Sequence, residues 1–159
     1  IAKNEKILTA IFMCSSHLHH DTIVKKGCVI MIQQFIELGQ GYGDIYELCE
    51  LVQSNENRFH NAFIFTANHN GQQVASLAVA FKPVGESKFM PIYICREGIP
   101  YSDEKPSKRI DIFKQTVKDA GQLENIFEVK HSSIFSETNQ YYQYLIGILR
   151  LNRYIPPMQ

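Results

Sequence analysis

This sequence has no tryptophan, no net charge and no Cys-x-x-Cys pair. Its 16 basic and 16 acidic side chains balance, which makes a nucleic-acid partner unexpected, because affinity for phosphates grows with the number of Lys and Arg contacts. Without close cysteine pairs, a disulfide framework is also disfavoured. The four cysteines instead lie in apolar stretches, where free thiols behave as small buried hydrophobic groups. They are Cys14, Cys28, Cys49 and Cys95.

Long apolar runs are absent as well. No stretch approaches the roughly 20 residues that a membrane-spanning helix needs, and no cleavable signal pattern is present. We therefore expect no membrane segment and a reducing, cytoplasmic location, with delivery into another cell as an effector left open. The chain begins with Ile1 rather than Met, so we expect a trimmed chain. Its 159 residues, with 10 Phe and 8 Tyr, suit one domain over 1–159.

The first part of the chain, residues 1–57, shows mainly helical spacing of apolar residues. This spacing predicts a first helix over 4–14 and a second, capped at its start, over 21–38. The Val and Ile content leaves a strand possible over 28–32. A glycine-rich break follows, and Asp44 begins a short third helix. The buried stripe of that third helix is predicted to be Ile45, Leu48 and Val52.

The remaining part, residues 58–159, changes to strand periodicity. Two β-rich runs, 62–68 and 73–82, flank Asn70-Gly71, which is a strong hairpin signal because both turn residues accept positive φ. Both runs are apolar on both sides, so we expect central strands that are covered on both faces by helices or by a partner. A third strand is predicted over 89–95, with Pro91 indicating a sheet edge.

Two further helices and one more strand complete the prediction. Apolar spacing indicates a helix ending near Ala120, before Gly121, and a last helix over 137–152. Between them, residues 125–130 read as a fourth strand. The expected fold class is therefore α+β, in which N-terminal helices precede a four-stranded, mainly antiparallel sheet with two further helices packed on it.

Two segments carry residues that suit ligands. Cys14, His17, His20 and Asp21 fall close to one helical face, and their N, S and O donors would suit zinc, although a His-rich helix end needs no metal. The segment Gly39-x-Gly41-x-Gly43 resembles a phosphate-binding loop, but a predicted helix rather than a strand precedes it. We therefore expect an interhelical turn there, and no cofactor.

A nucleophile and a base are the third kind of candidate. His60 comes just before the first central strand and is the candidate base. Ser132 precedes the last helix, and it or Cys95 is the candidate nucleophile. The three residues are far apart in sequence, so only the fold can bring them together.

The order of these elements resembles that of the YopJ-like effector acetyltransferases and the Ulp-type cysteine proteases, over about 58–150. The similar elements are His60, the Asn70-Gly71 turn, Phe81-Lys82-Pro83, and Ser132-Ser133-Ile134-Phe135. The resemblance implies a cysteine-peptidase or acetyltransferase fold with His60 as base. However, Lys82 stands where the family has an acidic residue, and Ser132 stands where it has the nucleophilic cysteine. These differences imply a catalytically inactive or an engineered member.

No catalytic or cofactor-binding set is complete in the sequence. We therefore expect a non-catalytic protein–protein interaction module, adaptor-like or effector-like, that binds another protein or forms a homo-oligomer. An acyl-transfer or peptidase-fold enzyme of the Cys/Ser-His type is the first alternative. A protein similar to the small chaperones of bacterial secretion systems is the second, although those chaperones are usually acidic.

Overall fold

A computed structural model describes residues 31–40 and 44–157 of the chain. Within these residues the fold is mixed α+β, with a five-stranded sheet and three α-helices. The strands are β1 (Ile32–Gln40), β2 (Phe59–His69), β3 (Gln72–Phe81), β4 (Phe89–Pro100) and β5 (Glu124–Glu128). The helices are α1 (Asp44–Ser54), α2 (Lys108–Asp119) and α3 (Thr138–Leu151). Single 3-10 turns cover Glu56–Arg58 and Ser132–Ile134.

The sheet has the strand order β1-β4-β3-β2-β5. β3 runs antiparallel to both of its neighbours, whereas β1 pairs with β4 and β2 pairs with β5 in parallel. Four strands therefore point the same way, and their carboxyl ends lie along one edge of the sheet, which we call the carboxyl edge. In open sheets of this kind, ligands bind preferentially outside the carboxyl ends of parallel strands.

The predicted hairpin between β2 and β3 is confirmed. His69 pairs with Gln72, and the two residues between them, Asn70 and Gly71, both have positive φ, at 52° and 77°. Positive φ at both central residues matches the right-handed twist of the flanking strands. This turn brings the start of β3 to the carboxyl edge.

Helices cover both faces of the sheet, as the two-sided apolar pattern of β2 and β3 predicted. On one face, α1 and α2 pack against side chains such as Ile64, Leu77 and Val79. On the other face, α3 packs against residues that include Phe63 and Phe65. The predicted stripe of α1 is confirmed, since Ile45, Leu48 and Val52 are completely buried. The faces of the sheet therefore need no partner to cover them.

The predicted helix over 21–38 is wrong for its final part, because residues 32–40 form strand β1. β1 hydrogen-bonds in parallel to β4, starting with Ile32 opposite Phe89. That pairing joins segments far apart in sequence, so the local pattern of apolar residues cannot predict it. The earlier part of this prediction and the predicted helix over 4–14 lie outside the described residues.

The prediction of a four-stranded, mainly antiparallel sheet is also wrong in detail, since β1 adds a fifth strand and two of the four pairings are parallel. β4 is an inner strand, although Pro91 had indicated an edge. The last paired residues of the β3–β4 register are Ala80 and Ile92, so Pro91 lies just beyond the paired part of β3. Its missing N–H therefore removes no bond to that strand.

The other predicted elements are confirmed to within a few residues. The α2 helix ends at Asp119, close to the predicted end, and Gly121 follows with a φ of 82°. The fourth predicted strand is β5, and the last predicted helix is α3. None of the helices in the described part of the chain combines the length and the apolar composition needed to cross a bilayer.

Candidate functional site

A bulge near the carboxyl end of β4 creates a buried polar site in the described part of the sheet. Leu77 of β3 pairs with Cys95, and Ala75 pairs with Ile99, so three residues of β4 lie opposite Ser76 alone. A bulge of this kind redirects side chains, and bulges are common beside active sites. Here it turns the carboxylate of Glu97 into the interior, where the residue is only 4% exposed.

Polar groups from three other segments surround the Glu97 carboxylate. Oε2 accepts hydrogen bonds from the Ser76 hydroxyl at 3.0 Å and from the Tyr141 hydroxyl of α3 at 3.2 Å. Oε1 accepts from the Ser132 backbone N–H at 3.1 Å and from the Ser132 hydroxyl. His131 Nε2 lies 3.4 Å from the same oxygen. Both oxygens are thus well satisfied, as a buried carboxylate requires.

These contacts keep Glu97 ionised. Burial by itself would raise the pKa of this carboxyl group, but hydrogen bonds from Ser132, from the backbone and from Ser76 outweigh that effect. The pKa therefore lies below its usual value, because hydrogen bonds to a carboxylate favour the charged form. Near neutral pH the site holds a buried negative charge.

His131 connects this charge to the surface. Its Nδ1 accepts the backbone N–H of Ser133 at 3.1 Å and lies 2.9 Å from the Ser133 hydroxyl. Its ring stacks on the ring of His69, which ends β2, with centroids 3.9 Å apart and 12° between the planes. A chain of contacts therefore runs from buried Glu97 through His131 to Ser133, whose side chain is exposed.

The imidazole of His131 is neutral near neutral pH. Burial lowers its pKa from the usual value, the Glu97 carboxylate raises it, and His69 and Arg96 lower it further. The net shift is downward. Because Nδ1 already accepts a backbone N–H, its lone pair is free of a proton, and the ring proton belongs on Nε2, facing Glu97.

A second acidic contact lies beside this site. Glu37 of β1 accepts a hydrogen bond from the Tyr142 hydroxyl, and its carboxylate lies 3.6 Å from the guanidinium of Arg96. Burial raises the pKa of the Tyr142 hydroxyl, and the hydrogen bond to Glu37 raises it further. The carboxyl ends of β1 and β4 are therefore joined by polar contacts next to Glu97.

The structure does not bring His60 and Ser132 together. His60 lies near the start of β2, where its Nε2 contacts the Tyr154 carbonyl oxygen at 3.1 Å. Ser132 lies beyond the end of β5, at the carboxyl edge, close to the ring pair of His69 and His131. At about 3.3 Å per residue, β2 separates His60 from His69 by roughly 30 Å.

Cys95 is not placed as a nucleophile either. It is completely buried in the core beneath α1 and α2. Burial, followed by the nearby charges of Asp44 and Glu47 and the Cys49 thiol, raises the pKa of the Cys95 thiol to about 12. A protonated thiol without solvent access is unreactive. Cys49 is also buried, and neither cysteine forms a disulfide.

The position that the resemblance assigned to an acid, Lys82, directly follows β3 and is exposed. The backbone of Lys82 contacts the Arg58 guanidinium, far from the carboxyl edge. The acid at the site is instead Glu97, which sequence reasoning missed together with His131. One signal was available, because Arg96-Glu97-Gly98 interrupts an otherwise apolar strand, and a glycine there is typical of a bulge.

The metal candidates Cys14, His17, His20 and Asp21 all lie outside the described residues. Among residues 31–40 and 44–157, no three His, Cys, Asp or Glu side chains are grouped to hold a metal ion. Our reason for reading 39–43 as an interhelical turn is wrong, since strand β1 precedes it. Asp44 and Glu47 in the first turn of α1 nevertheless disfavour an anion there.

Comparison with known proteins identifies a family without an assigned activity. Curated proteins and solved structures give no match to the chain. One family model does match, over residues 31–155, and this range contains the whole sheet and all three described helices. The chain therefore belongs to the family described as a domain of unknown function, DUF7147.

Proposed function

We propose that this chain is a protein–protein interaction module that binds its partner at the β5 side of the sheet. The observation that carries this proposal is the exposure of two large apolar side chains at an edge strand. Leu123, just before β5, is 74% exposed, and Ile126 within β5 is 49% exposed. In the described part of the chain, β5 hydrogen-bonds only to β2.

An edge strand of this kind supports binding by strand addition. No strand among residues 31–40 and 44–157 pairs with its outer N–H and C=O groups, so an extended segment of a partner can bind them, with side chains that contact the apolar residues beside them. Both faces of the sheet are already covered by the chain's own helices. The edges are consequently the natural places for a partner to contact the sheet.

The surface next to β5 is mixed in charge. An open depression there lies between α2 and the start of β5, and Lys114 bridges to Glu124 across it at 3.8 Å. We call this depression together with Leu123 and Ile126 the β5 surface. Interspersed charges around an apolar centre suit a protein partner, whereas a nucleic acid favours a continuous basic surface. The other residues that line the depression are Asp111, Gln115 and Lys118.

A competing account is that β5 is simply a protected edge. It is only five residues long and carries Glu124 and Glu128, and short edge strands with charged residues discourage aggregation. This account predicts no specific partner at Ile126. The two accounts therefore differ in what lies against that side chain in the native cell.

Site-specific photocrosslinking distinguishes them. A photoreactive phenylalanine analogue replaces Ile126 in the full chain, and a control protein carries it in place of Ile134, which is 66% exposed but lies in the 3-10 turn Ser132–Ile134, beyond the end of β5. In the native host we expect one discrete crosslinked product from position 126 and none from position 134. Mass spectrometry then identifies the partner as another protein or a second copy. No product at 126, or the same product at both positions, would contradict the proposal.

A further inference from the structure

We propose that Ser133 is a nucleophilic serine that His131 activates, with Glu97 as the positioning group behind His131, and that it reacts with small acyl esters. This inference goes beyond the interaction function and does not depend on it. It differs from the sequence prediction in all three roles. The base is His131 instead of His60, the nucleophile is Ser133 instead of Ser132 or Cys95, and an acid is present in place of Lys82.

The geometry of the three side chains carries the proposal. The Ser133 hydroxyl lies 2.9 Å from Nδ1 of His131, within the range of a nucleophile–base hydrogen bond. The other ring nitrogen, Nε2, lies 3.4 Å from Oε1 of Glu97. One imidazole therefore contacts a hydroxyl on one side and a carboxylate on the other, as in an acid–His–Ser relay, with the two ring nitrogens exchanging their usual roles.

The protonation pattern also suits this role. The backbone N–H of Ser133 donates to Nδ1, so Nδ1 carries a lone pair and Nε2 carries the proton that faces Glu97. In this tautomer the unprotonated nitrogen is the one that must take the hydroxyl proton, and its single lone pair is shared between the Ser133 N–H and the Ser133 hydroxyl. A positive ring would then be stabilised by the buried carboxylate, which is the function of the acid in such relays.

The supporting groups hold this relay in place. His69 stacks on one face of the His131 ring, and Ser76, Tyr141 and Ser132 all donate hydrogen bonds to Glu97. Groups whose own partners are satisfied give a site the fixed geometry that catalysis needs.

The neighbouring serine is arranged differently. The Ser132 hydroxyl donates to Glu97, so it serves as a support for the carboxylate. The Ser133 side chain is exposed and can be reached by a molecule from solvent.

The reaction that follows is acyl transfer. The Ser133 oxygen forms a bond to the carbonyl carbon of the ester, and its proton moves to Nδ1 of His131. The bond from that carbon to the alkoxy oxygen then breaks, and the departing oxygen takes the proton as an alcohol. Water next attacks the acyl carbon, Nδ1 takes a proton from it, and Ser133 leaves with that proton, which releases a carboxylic acid.

A purely structural account is available for the same contacts. His131 precedes the 3-10 turn Ser132–Ile134, and its acceptance of the Ser133 N–H is a capping bond. On that account the hydroxyl of Ser133 has ordinary reactivity. The replacement His131→Asn separates the two accounts, because an Asn side chain also caps such a turn but supplies no base.

Covalent labelling of the full chain tests the proposal. A fluorophosphonate probe bonds its phosphorus to a serine oxygen with loss of fluoride, and intact mass with peptide mapping locates the adduct. We expect one adduct, on Ser133, that disappears in Ser133→Ala. Ser136→Ala is the matched control, because Ser136 bonds to Gln140 rather than to an imidazole, and it should label like the natural chain. His131→Asn should label at least about 100-fold more slowly.

Glu97 is tested by the pH dependence of labelling. The charged or titratable groups that face His131 are Glu97 and Arg96 of β4 and His69 of β2. Removing the negative charge in Glu97→Gln should shift the labelling midpoint to lower pH, which loss of packing alone would not do. If this variant does not fold, the site of labelling in the natural chain still tests whether Ser133 is the reactive serine. An unmodified natural chain, or an adduct that persists in Ser133→Ala, overturns the proposal.

Hydrolysis of p-nitrophenyl acetate provides an independent readout on the same proteins. Turnover by the natural chain above that of Ser133→Ala is expected, with Ser136→Ala unchanged. Equal rates for the natural chain and Ser133→Ala would overturn the assignment of acyl esters as substrates.

Discussion

The imidazole of His131 lies flat against that of His69, with ring centroids 3.9 Å apart. The two rings come from segments that are distant in sequence and meet only because β5 runs parallel to β2. Stacking limits the solvent around His131, and proton uptake by His131 would place positive charge beside the ring of His69. This contact therefore links the protonation of the site to the stability of the fold.

Stability should fall as the solution becomes acidic below the ordinary histidine pKa of about 6.5. Burial and, to a smaller extent, His69 and Arg96 lower the pKa of His131 in spite of Glu97, so the unfolded chain binds the proton more readily. The stabilisation is thus complete above that pH and is lost as pH drops towards the folded-state value. Denaturant titrations at several pH values measure how steeply the free energy of unfolding changes with pH. For one proton this slope is at most about 1.4 kcal/mol per pH unit.

In the variant His131→Asn, the free energy of unfolding should change less steeply with pH over this range than in the natural chain. Burial also lowers the pKa of His60 at the opposite end of β2, so His60→Asn should remove a separate part of the slope. The double variant should show the sum of both changes, because distant sites are usually additive. An unchanged slope in His131→Asn would show that this ring titrates normally.

The parts of the fold that could be predicted are those with local causes. Asn70-Gly71 specifies its hairpin through backbone φ alone, and the spacing of Ile45 and Leu48 specifies the buried face of α1. β1 could not be predicted, because its strand state depends on pairing with β4, which lies about 50 residues later. The predicted helix and the observed strand use the same apolar residues, and only the distant partner decides between them.

The candidate site likewise combines a feature with a local cause and features that depend on distant pairing. Ser132 was identified from its position before the last helix, which is a local feature. Glu97 and His131 were missed because they meet through a bulge that arises from the β3–β4 register. That register is a property of two strands together. The one local sign of this register was that Arg96-Glu97-Gly98 interrupts the apolar pattern of β4.

The thiols of Cys49 and Cys95 should resist modification in the folded protein. Burial raises the pKa of both, and that of Cys95 reaches about 12. A chain with Cys14→Ser and Cys28→Ser keeps only these two thiols. We expect little reaction with a disulfide reagent such as DTNB in native buffer and reaction of both thiols in denaturant. Rapid native labelling of Cys95 would contradict its placement in the core.

Two glycine replacements should change stability in opposite directions. Gly71 has a φ of 77° in the β2–β3 turn, so Gly71→Ala should lower the free energy of unfolding by about 1–2 kcal/mol. Gly147 lies within α3, and an added Cβ there meets no atom within 4 Å. Gly147→Ala should therefore raise the free energy of unfolding by about 0.5–1 kcal/mol. Denaturation of both variants at one pH measures the difference, and a shift of the same sign in both would contradict the assigned backbone geometry.

Replacing Glu97 by Gln should destabilise the fold at neutral pH, because the carboxylate accepts hydrogen bonds from Ser76, Tyr141 and Ser132. An amide nitrogen takes the place of one acceptor oxygen and faces a donor, so we expect a loss of about 1–3 kcal/mol. The pKa of Glu97 is lowered by folding, so this difference should shrink as pH falls below about 4.5 and the natural carboxyl group becomes protonated.

Glu86→Gln, in the exposed β3–β4 loop, is the control and should leave the free energy of unfolding within about 0.5 kcal/mol of that of the natural chain. Equal stability of Glu97→Gln and Glu86→Gln at neutral pH would mean that the hydrogen bonds to Glu97 do not support the carboxyl edge.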